Sequence, residues 1–125
     1  VQDMGGDYPV STGSFSGTPY NERLAPESPG AVGVDADGDH VVVWTAFDPD
    51  VGTDRVFYRI FDADGTPAEI ARHVTDPGDT VDQRHATVAV DLDGDFIVTW
   101  TQYDSDGQGG TESNIYARRF RAGGR

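Results

Sequence analysis

Three carboxylates within five residues occur twice in this chain, and they are its most chemically suggestive feature. Each cluster surrounds a glycine and precedes a stretch rich in valine. The side chains are those of Asp35, Asp37, Asp39, Asp91, Asp93 and Asp95. A hard cation such as Ca²⁺ takes about six to eight oxygen ligands, often from acidic loops. The clusters therefore predict calcium sites, with one alternative: hairpin turns whose carboxylates accept hydrogen bonds from nearby backbone amides.

The EF-hand calcium motif is not the source of this pattern. Its closing bidentate glutamate would fall on Ala46 in the first copy and on Gln102 in the second. Any calcium site here must therefore be built differently.

A third candidate for calcium is the stretch 104–112. Asp104, Asp106 and Glu112 supply charge there, and the glycines between them would let backbone carbonyls converge on an ion. A solvated loop is the alternative interpretation of the same residues.

The two acidic clusters belong to an internal repeat. Residues 35–44 read DADGDHVVVW, and residues 91–100 read DLDGDFIVTW. The register continues without gaps from Ser28 and Arg84 and, after three extra residues in the second copy, resumes at Arg59 and Arg118. Repetition at about 50 residues is typical of arrays whose units cannot bury their apolar faces alone.

Each copy alternates short β-branched and aromatic runs with Asp-Gly turns, which predicts an all-β fold. We expect strands at 31–34, 40–47, 55–61 and 69–75, and again at 87–90, 95–101 and 114–121. Residues 40–47 are apolar on both faces, so this strand should be packed on both sides. Helix is nearly excluded, because leucine occurs only at positions 24 and 92 and no apolar period of 3.6 residues is visible.

The resulting domain plan has three parts: an extended N-terminal segment (1–30), a first repeat unit (31–75) and a second (76–125), whose first residues, 76–83, are predicted to be a polar linker between the repeats. We expect two four-stranded antiparallel units resembling propeller blades, with a β-sandwich as the alternative. The second unit lacks a fourth strand, which leaves an open edge beside residues 114–121. Residues 7–12 are predicted to close this edge, in the same molecule or in a neighbour.

Composition restricts the partners. The chain has 125 residues, 22 acidic and 9 basic, for a formal net charge of −13. Nucleic acid is therefore not an expected partner. The lack of cysteine excludes disulfides and thiolate metal sites, and no apolar run is long enough to insert in a membrane. The start at Val1, without initiator methionine or signal peptide, predicts a piece of a longer chain.

No catalytic constellation is visible, so we do not expect an enzyme. His40, His73 and His85 lack metal-ligand spacing, and there is no Gly-x-Ser-x-Gly elbow or phosphate-binding glycine loop. The repeated Trp44 and Trp100 are predicted to be core residues. Exposed aromatic side chains could instead stack on carbohydrate, and the candidates are Phe47, Tyr103 and Tyr116.

The run from Val34 to Trp44, with residues 115–120 (IYARRF), resembles repeats of large secreted bacterial surface proteins. Those repeats occur near haemolysin-type calcium-binding, cadherin-like and FG-GAP segments. The resemblance covers residues 28–125 and implies an extracellular setting with four-stranded, propeller-like units. We therefore expect a structural or adhesion module that self-associates by strand complementation into a surface layer or filament, stabilised by Ca²⁺. A lectin-like module of an oligomeric propeller is the alternative.

Overall fold

The structure is a computed structural model that describes residues 7–11, 14–15, 18–19, 21–23 and 30–122. Within these residues the fold is all-β and contains no α-helix, as predicted. The strands are β1 (Ser14–Phe15), β2 (Thr18–Pro19), β3 (Asn21–Arg23), β4 (Val32–Val34), β5 (His40–Asp48), β6 (Thr53–Phe61), β7 (Arg72–His73), β8 (Asp82–Val90), β9 (Phe96–Ser105) and β10 (Thr111–Phe120). β1 and β2 form a small antiparallel pair of their own.

The first sheet is four strands wide and antiparallel, in the order β3-β5-β6-β7. β4 also pairs with β5, on the same edge as β3. β3 takes residues 45–47 of β5 and β4 takes residues 40–42, so these two short strands lie end to end. β7 is only two residues long, although strand was predicted over 69–75.

The second sheet has three strands, in the order β10-β9-β8. The expectation of two four-stranded units is therefore confirmed for the first sheet, whereas the second sheet has three strands among the described residues. In the described part of the chain, nothing pairs with the outer edge of β10. Residues 7–11 lie against the first sheet instead, where the Tyr8 hydroxyl is 2.8 Å from His40 Nε2 and the Arg59 guanidinium donates to the Val10 carbonyl.

β8 begins at Asp82, within a stretch predicted to be linker, because Gln83 is fully buried and pairs with Gln102 of β9. The strand contains a bulge between Arg84 and Thr87, where His85 adopts a φ of 59°. Such a left-handed conformation is uncommon outside glycine and is tolerated in bulges. The bulge lets both ends of β8 stay paired with β9.

The Asp-Gly turns form as the sequence predicts. Gly38 and Gly94 have φ values of 89° and 90°, and each connects two antiparallel strands. Residues with a Cβ rarely adopt this conformation, so the glycine allows the tight reversal.

The main core lies between the two sheets. The first sheet contributes one face of β5 and β6, and the second sheet covers it with residues of β8 and β9. The buried members are Val41, Val43, Val56, Tyr58, Ile60, Val74, Ala86, Val88, Phe96, Val98 and Trp100. Tyr58 packs against Phe96 and Phe120, with ring centroids 5.5 and 4.9 Å apart.

A second core cluster covers the opposite face of the first sheet. It consists of Trp44, Ala46, Phe57 and Ala71, with Val10 packed against it. β5 is therefore packed on both sides, as predicted for residues 40–47. The second sheet has no such second cluster among its described residues.

Candidate functional site

The acidic turns have the geometry of self-capping hairpins. In the first turn, Asp35 Oδ1 accepts hydrogen bonds from the backbone amides of Asp37 and Asp39, at 2.8 and 3.0 Å. In the second turn, Asp91 Oδ1 accepts hydrogen bonds from the backbone amides of Asp93 and Asp95, at 2.9 and 3.0 Å. These bonds are the ones that the turn interpretation requires.

Only the first turn also gathers its carboxylates. Oxygens of Asp35, Asp37 and Asp39 lie within 4.8 Å of one another, and no other group of three histidine, aspartate or glutamate side chains does so in the described part of the chain. Asp93 and His40 line the same cleft, whose volume is about 200 Å³. The first turn is thus the place where these residues could hold a cation. The counterparts Asp91, Asp93 and Asp95 do not form such a group.

One aspartate of each turn also anchors the next hairpin. Asp39 Oδ1 accepts from the Ala63 amide at 3.0 Å, and Asp95 Oδ1 accepts from the Ala122 amide at 2.9 Å. These residues occupy equivalent positions in the two repeats. The contact therefore belongs to the repeat.

The third predicted calcium site is mostly strand. Asp104 and Glu112 are directly opposite each other on β9 and β10, and only the residues between β9 and β10 form a loop. Asp106 Oδ1 accepts from the backbone amides of Gln108 and Gly110, at 2.7 and 3.0 Å. The structure does not bring Asp104, Asp106 and Glu112 together as a metal-binding group.

Asp104 is instead the acceptor for three side chains. Its carboxylate receives hydrogen bonds from Gln102 Nε2 at 2.9 Å, Tyr116 Oη at 2.7 Å and Asn114 Nδ2 at 3.2 Å. The Gln102 amide, followed by the Tyr116 hydroxyl, lowers the pKa of Asp104, and the same contact raises the pKa of Tyr116.

A buried polar network joins the two sheets. The Arg55 side chain is fully buried and donates from Nε to Gln83 Oε1 at 3.2 Å and from Nη2 to Thr75 Oγ1 at 2.6 Å. It also donates to the backbone carbonyls of Asp76 and Asp79. Burial lowers the pKa of Arg55, and nearby carboxylates oppose that shift.

This network continues into the second sheet. Gln83 Nε2 donates to Gln102 Oε1 at 3.2 Å, and the Trp100 indole donates to the same oxygen at 3.1 Å. The contact between Arg55 and Gln83 could not be predicted, because the polar residues 76–83 suggest a linker rather than the start of a strand. The available signal was Gln102, a polar residue in the alternation that also places Trp100 in the core.

Two arginines at equivalent repeat positions each donate to the backbone carbonyl of a valine. Arg59 Nη1 donates to the Val10 carbonyl at 3.0 Å, and Arg118 Nη1 donates to the Val74 carbonyl at 2.9 Å. Arg59 Nε also donates to the Glu69 carbonyl at 2.9 Å, within its own sheet. Arg118 Nε has no such acceptor in the described residues. The difference arises because no described strand pairs with the outer edge of β10.

The histidines lie in three separate places. His40 contacts Tyr8, His73 Nε2 is 3.2 Å from Asp48 Oδ2, and His85 is exposed in the bulge of β8. The structure does not gather them into one site.

The two tryptophans are buried, as predicted, and two of the three aromatic residues predicted to be exposed are exposed. Trp44 and Trp100 are each only 4% exposed and belong to the two core clusters. Phe47 and Tyr116 are each 39% exposed. The Tyr116 ring is stacked on Trp100, with centroids 6.0 Å apart, and Tyr103 is half-buried with the Arg84 guanidinium 5.3 Å from its ring centroid.

No helix in the described ranges is long and apolar enough to cross a membrane. Comparison with known proteins finds no protein-family model, no curated protein and no solved structure that matches this chain.

Proposed function

We propose that this chain is a non-enzymatic, extracellular structural module that self-associates by strand complementation, as part of a surface layer, filament or adhesin. One observation supports it most. Arg118 holds the carbonyl of Val74, at the end of the first sheet, and the equivalent Arg59 holds the carbonyl of Val10. The segment at Val10 thus contacts the first sheet in the same way as the end of the first sheet, at Val74, contacts the second sheet.

The propeller-like part of the proposal rests on how equivalent residues meet. The Ala36 amide donates to the carbonyl of its repeat counterpart Leu92 at 3.2 Å, and the Val88 amide donates to the Gly30 carbonyl at 2.7 Å. The short β4 packs beside β8, where a Cβ on Gly33 would lie 2.5 Å from Val90 Cγ2. Equivalent turns side by side are the arrangement that neighbouring blades around one axis would adopt.

Calcium is a stabilising partner in this proposal, bound at the first acidic turn. The support is the carboxylate group of Asp35, Asp37 and Asp39. Binding to the folded state alone would raise the melting temperature with calcium concentration. The Asp37→Asn variant should reduce that rise, while Asp106→Asn, in the loop between β9 and β10, should leave it unchanged. A melting temperature that does not respond to millimolar Ca²⁺ would remove the ion from the proposal.

The experiment that tests self-association is light scattering of the purified chain over a range of concentrations, followed by negative-stain microscopy. We expect discrete rings or filaments whose mass grows with concentration. Deletion of residues 1–20 should abolish the larger species. A chain that stays monomeric throughout would contradict the proposal.

Carbohydrate binding is the second candidate function, favoured by a cleft between the sheets. Tyr103, Arg84 and Asp82 line it together with Thr53, at a volume of about 530 Å³. An aromatic ring beside charged hydrogen-bonding groups suits a sugar. Saturable binding on a glycan array, lost in Tyr103→Ala, would support this function, and a negative array would count against it.

A further inference from the structure

The outer edge of β6 accepts backbone hydrogen bonds from the residues that follow it, whereas the outer edge of β10 accepts none from the described residues. The Val56 carbonyl accepts from the Val74 amide at 3.0 Å, and the Ile60 carbonyl accepts from the Ala68 amide at 2.9 Å. Val56 and Ile60 correspond to Ile115 and Arg119 in the repeat. These two residues lie on the edge of the second sheet that pairs with no described residue.

β10 is also exposed almost along its whole length. Its residues 111–119 are all exposed, and Ile115 is 75% exposed. Proteins usually cover or charge such an edge, because its free N–H and C=O groups are a template for another strand. The Arg118 side chain, which reaches from β10 to the Val74 carbonyl, has no acceptor for its Nε in the described residues.

The segment at the other end of the molecule has the complementary groups. Val10 occupies the place relative to Arg59 that Val74 occupies relative to Arg118. The amides of Tyr8 and Val10 have no hydrogen-bond acceptor within the described chain, although Val10 is half-buried.

The proline in this segment fits the same geometry. Alternate residues of an extended strand direct their N–H groups to opposite edges, so Tyr8 and Val10 present theirs to one edge and Pro9 would face the other. Proline has no N–H and is tolerated in strands only where none is needed. Pro9 therefore leaves the edge formed by its two neighbours intact.

We propose that residues 8–11 of a second copy of this chain pair antiparallel with the outer edge of β10, with Val10 opposite Ile115. The Val10 amide would donate to the Ile115 carbonyl, as the Val74 amide donates to the Val56 carbonyl within one chain. This inference rests on the proposed function and supplies its partner strand and register.

The pairing must be between copies. Val10 packs on the face of the first sheet that carries Trp44 and Phe57, whereas the second sheet covers the opposite face. The donor segment and the open edge thus lie on opposite sides of the first sheet. A contact between unlike surfaces of identical chains is head to tail, so it closes into a ring or extends as a filament.

In this pairing, the two copies meet at the outer edge of β10 rather than at the inner strands β4 and β8. Gly33 lets Val90 approach β4 closely, but its repeat counterpart on β8 is Ala89. In the proposed contact, the methyl group of Ala89 would keep the inner strand of the neighbouring copy farther away than β8 is from β4. Main-chain hydrogen bonds at β10 do not depend on that distance, as in other strand-addition complexes.

A cysteine pair tests the register, because the chain has no native cysteine. With Val10 opposite Ile115, Ser11 lies opposite Asn114, as Thr75 Oγ1 meets the Arg55 side chain at 2.6 Å in the first sheet. Directly opposed strand residues are about 4.5–5.5 Å apart, within the range for a disulfide. Isotope-labelled S11C chains are mixed with unlabelled N114C chains and gently oxidised.

We expect a heterodimer joined between positions 11 and 114 as the main product, identified by mass spectrometry. The matched control replaces N114C by Gln108→Cys, in the exposed loop six residues away, or about 20 Å along a strand. Its heterodimer should be lost. Equal cross-linking of both partners would overturn the proposed register.

A second variant tests the edge without cysteines. Ala117 corresponds to Tyr58, which lies two residues from Val56 and from Ile60, whose carbonyls accept hydrogen bonds on the outer edge of β6. Alternate strand residues share an edge, so the N–H of Ala117 should point away from β9. Ala117→Pro should therefore keep the sheet but block strand addition, and light scattering should show loss of the oligomer at an unchanged circular dichroism spectrum. The control is Ala117→Ser, which should assemble normally.

The outcomes separate the two proposals. Assembly that survives Ala117→Pro, with no cross-link between positions 11 and 114, would overturn the pairing at β10 and leave self-association standing. A wild-type chain that is monomeric at every concentration would overturn both.

Discussion

The two sheets begin from nearly the same sequence and end in different environments. The first sheet is buried on both faces, by the second sheet and by the cluster that includes Val10. The second sheet is buried on one face, and its strand β10 is exposed. Phe57 is fully buried, whereas its counterpart Tyr116 is 39% exposed. Equivalent positions in the two repeats thus differ in burial, because the first sheet is covered on both faces and the second on one.

The largest effect should come from that aromatic pair. Phe57→Ala empties a fully buried position and should lower the free energy of unfolding by about 3–5 kcal/mol. Tyr116→Ala should cost clearly less, because its ring already meets solvent. Urea unfolding of both variants measures the difference, and equal losses would show that β10 is covered in solution.

The buried network gives the next effect. Arg55→Met removes the donor that satisfies Gln83 and Thr75, and should cost about 3 kcal/mol. The matched variant is Asn114→Met, at the equivalent position on the exposed strand, and it should change stability by less than about 0.5 kcal/mol. Thermal melts of the pair would contradict this comparison if the two substitutions were equally costly.

A smaller effect should appear where β4 meets β8. Gly33→Ala would place a methyl group 2.5 Å from Val90 Cγ2 and should destabilise by about 1–3 kcal/mol through overpacking. The reverse change at the counterpart, Ala89→Gly, meets no such contact and should cost about 0.5–1 kcal/mol from backbone entropy. Chemical unfolding that shows no penalty at Gly33 would mean that the two strands are farther apart.

The smallest effect is a change in proton binding. Tyr116→Phe removes one of the hydrogen bonds that lower the pKa of Asp104, so the pKa of this carboxyl should rise toward its usual value. A carboxyl with a depressed pKa stabilises the fold above its unfolded pKa, and this contribution is lost as the pH falls through the folded value. Wild type and variant should therefore converge in stability at acid pH.

Carbon-13 NMR of the Asp104 carboxyl measures that pKa directly. Tyr103→Phe is the control, since no hydrogen bond joins its hydroxyl to Asp104. An unshifted titration in Tyr116→Phe would show that the Gln102 and Asn114 amides alone hold the carboxylate.

The strands, turns and both-sided burial of β5 were predictable, because alternation and Asp-Gly pairs are local signals. The same holds for the buried Trp44 and Trp100, which the repeat places at equivalent positions. Local signals also explain why the turn interpretation of Asp35 and Asp91 could be drawn from sequence, since an aspartate caps the amides that follow it.

What escaped prediction depends on contacts distant in sequence. Gln83 appeared to be linker because its partners, Arg55 and Gln102, lie 28 and 19 residues away. Asp104 appeared to be a loop ligand because no pattern shows that Tyr116 and Asn114 will occupy its oxygens. The open edge that β10 shows in the described residues could be predicted from the sequence, but the position of residues 7–11 on the first sheet could not.

The Arg55 network has a consequence for how the molecule comes apart. Its donor, Arg55, is on the first sheet, and its acceptors are Gln83 of β8 and three residues within 75–79, so the first sheet alone cannot satisfy it fully. Partial unfolding that frees the second sheet would remove Gln83 and leave the buried Arg55 Nε without its acceptor, which opposes a half-folded intermediate. We therefore expect the two repeats to unfold in one cooperative transition. Limited proteolysis should accordingly yield no stable fragment that corresponds to a single repeat.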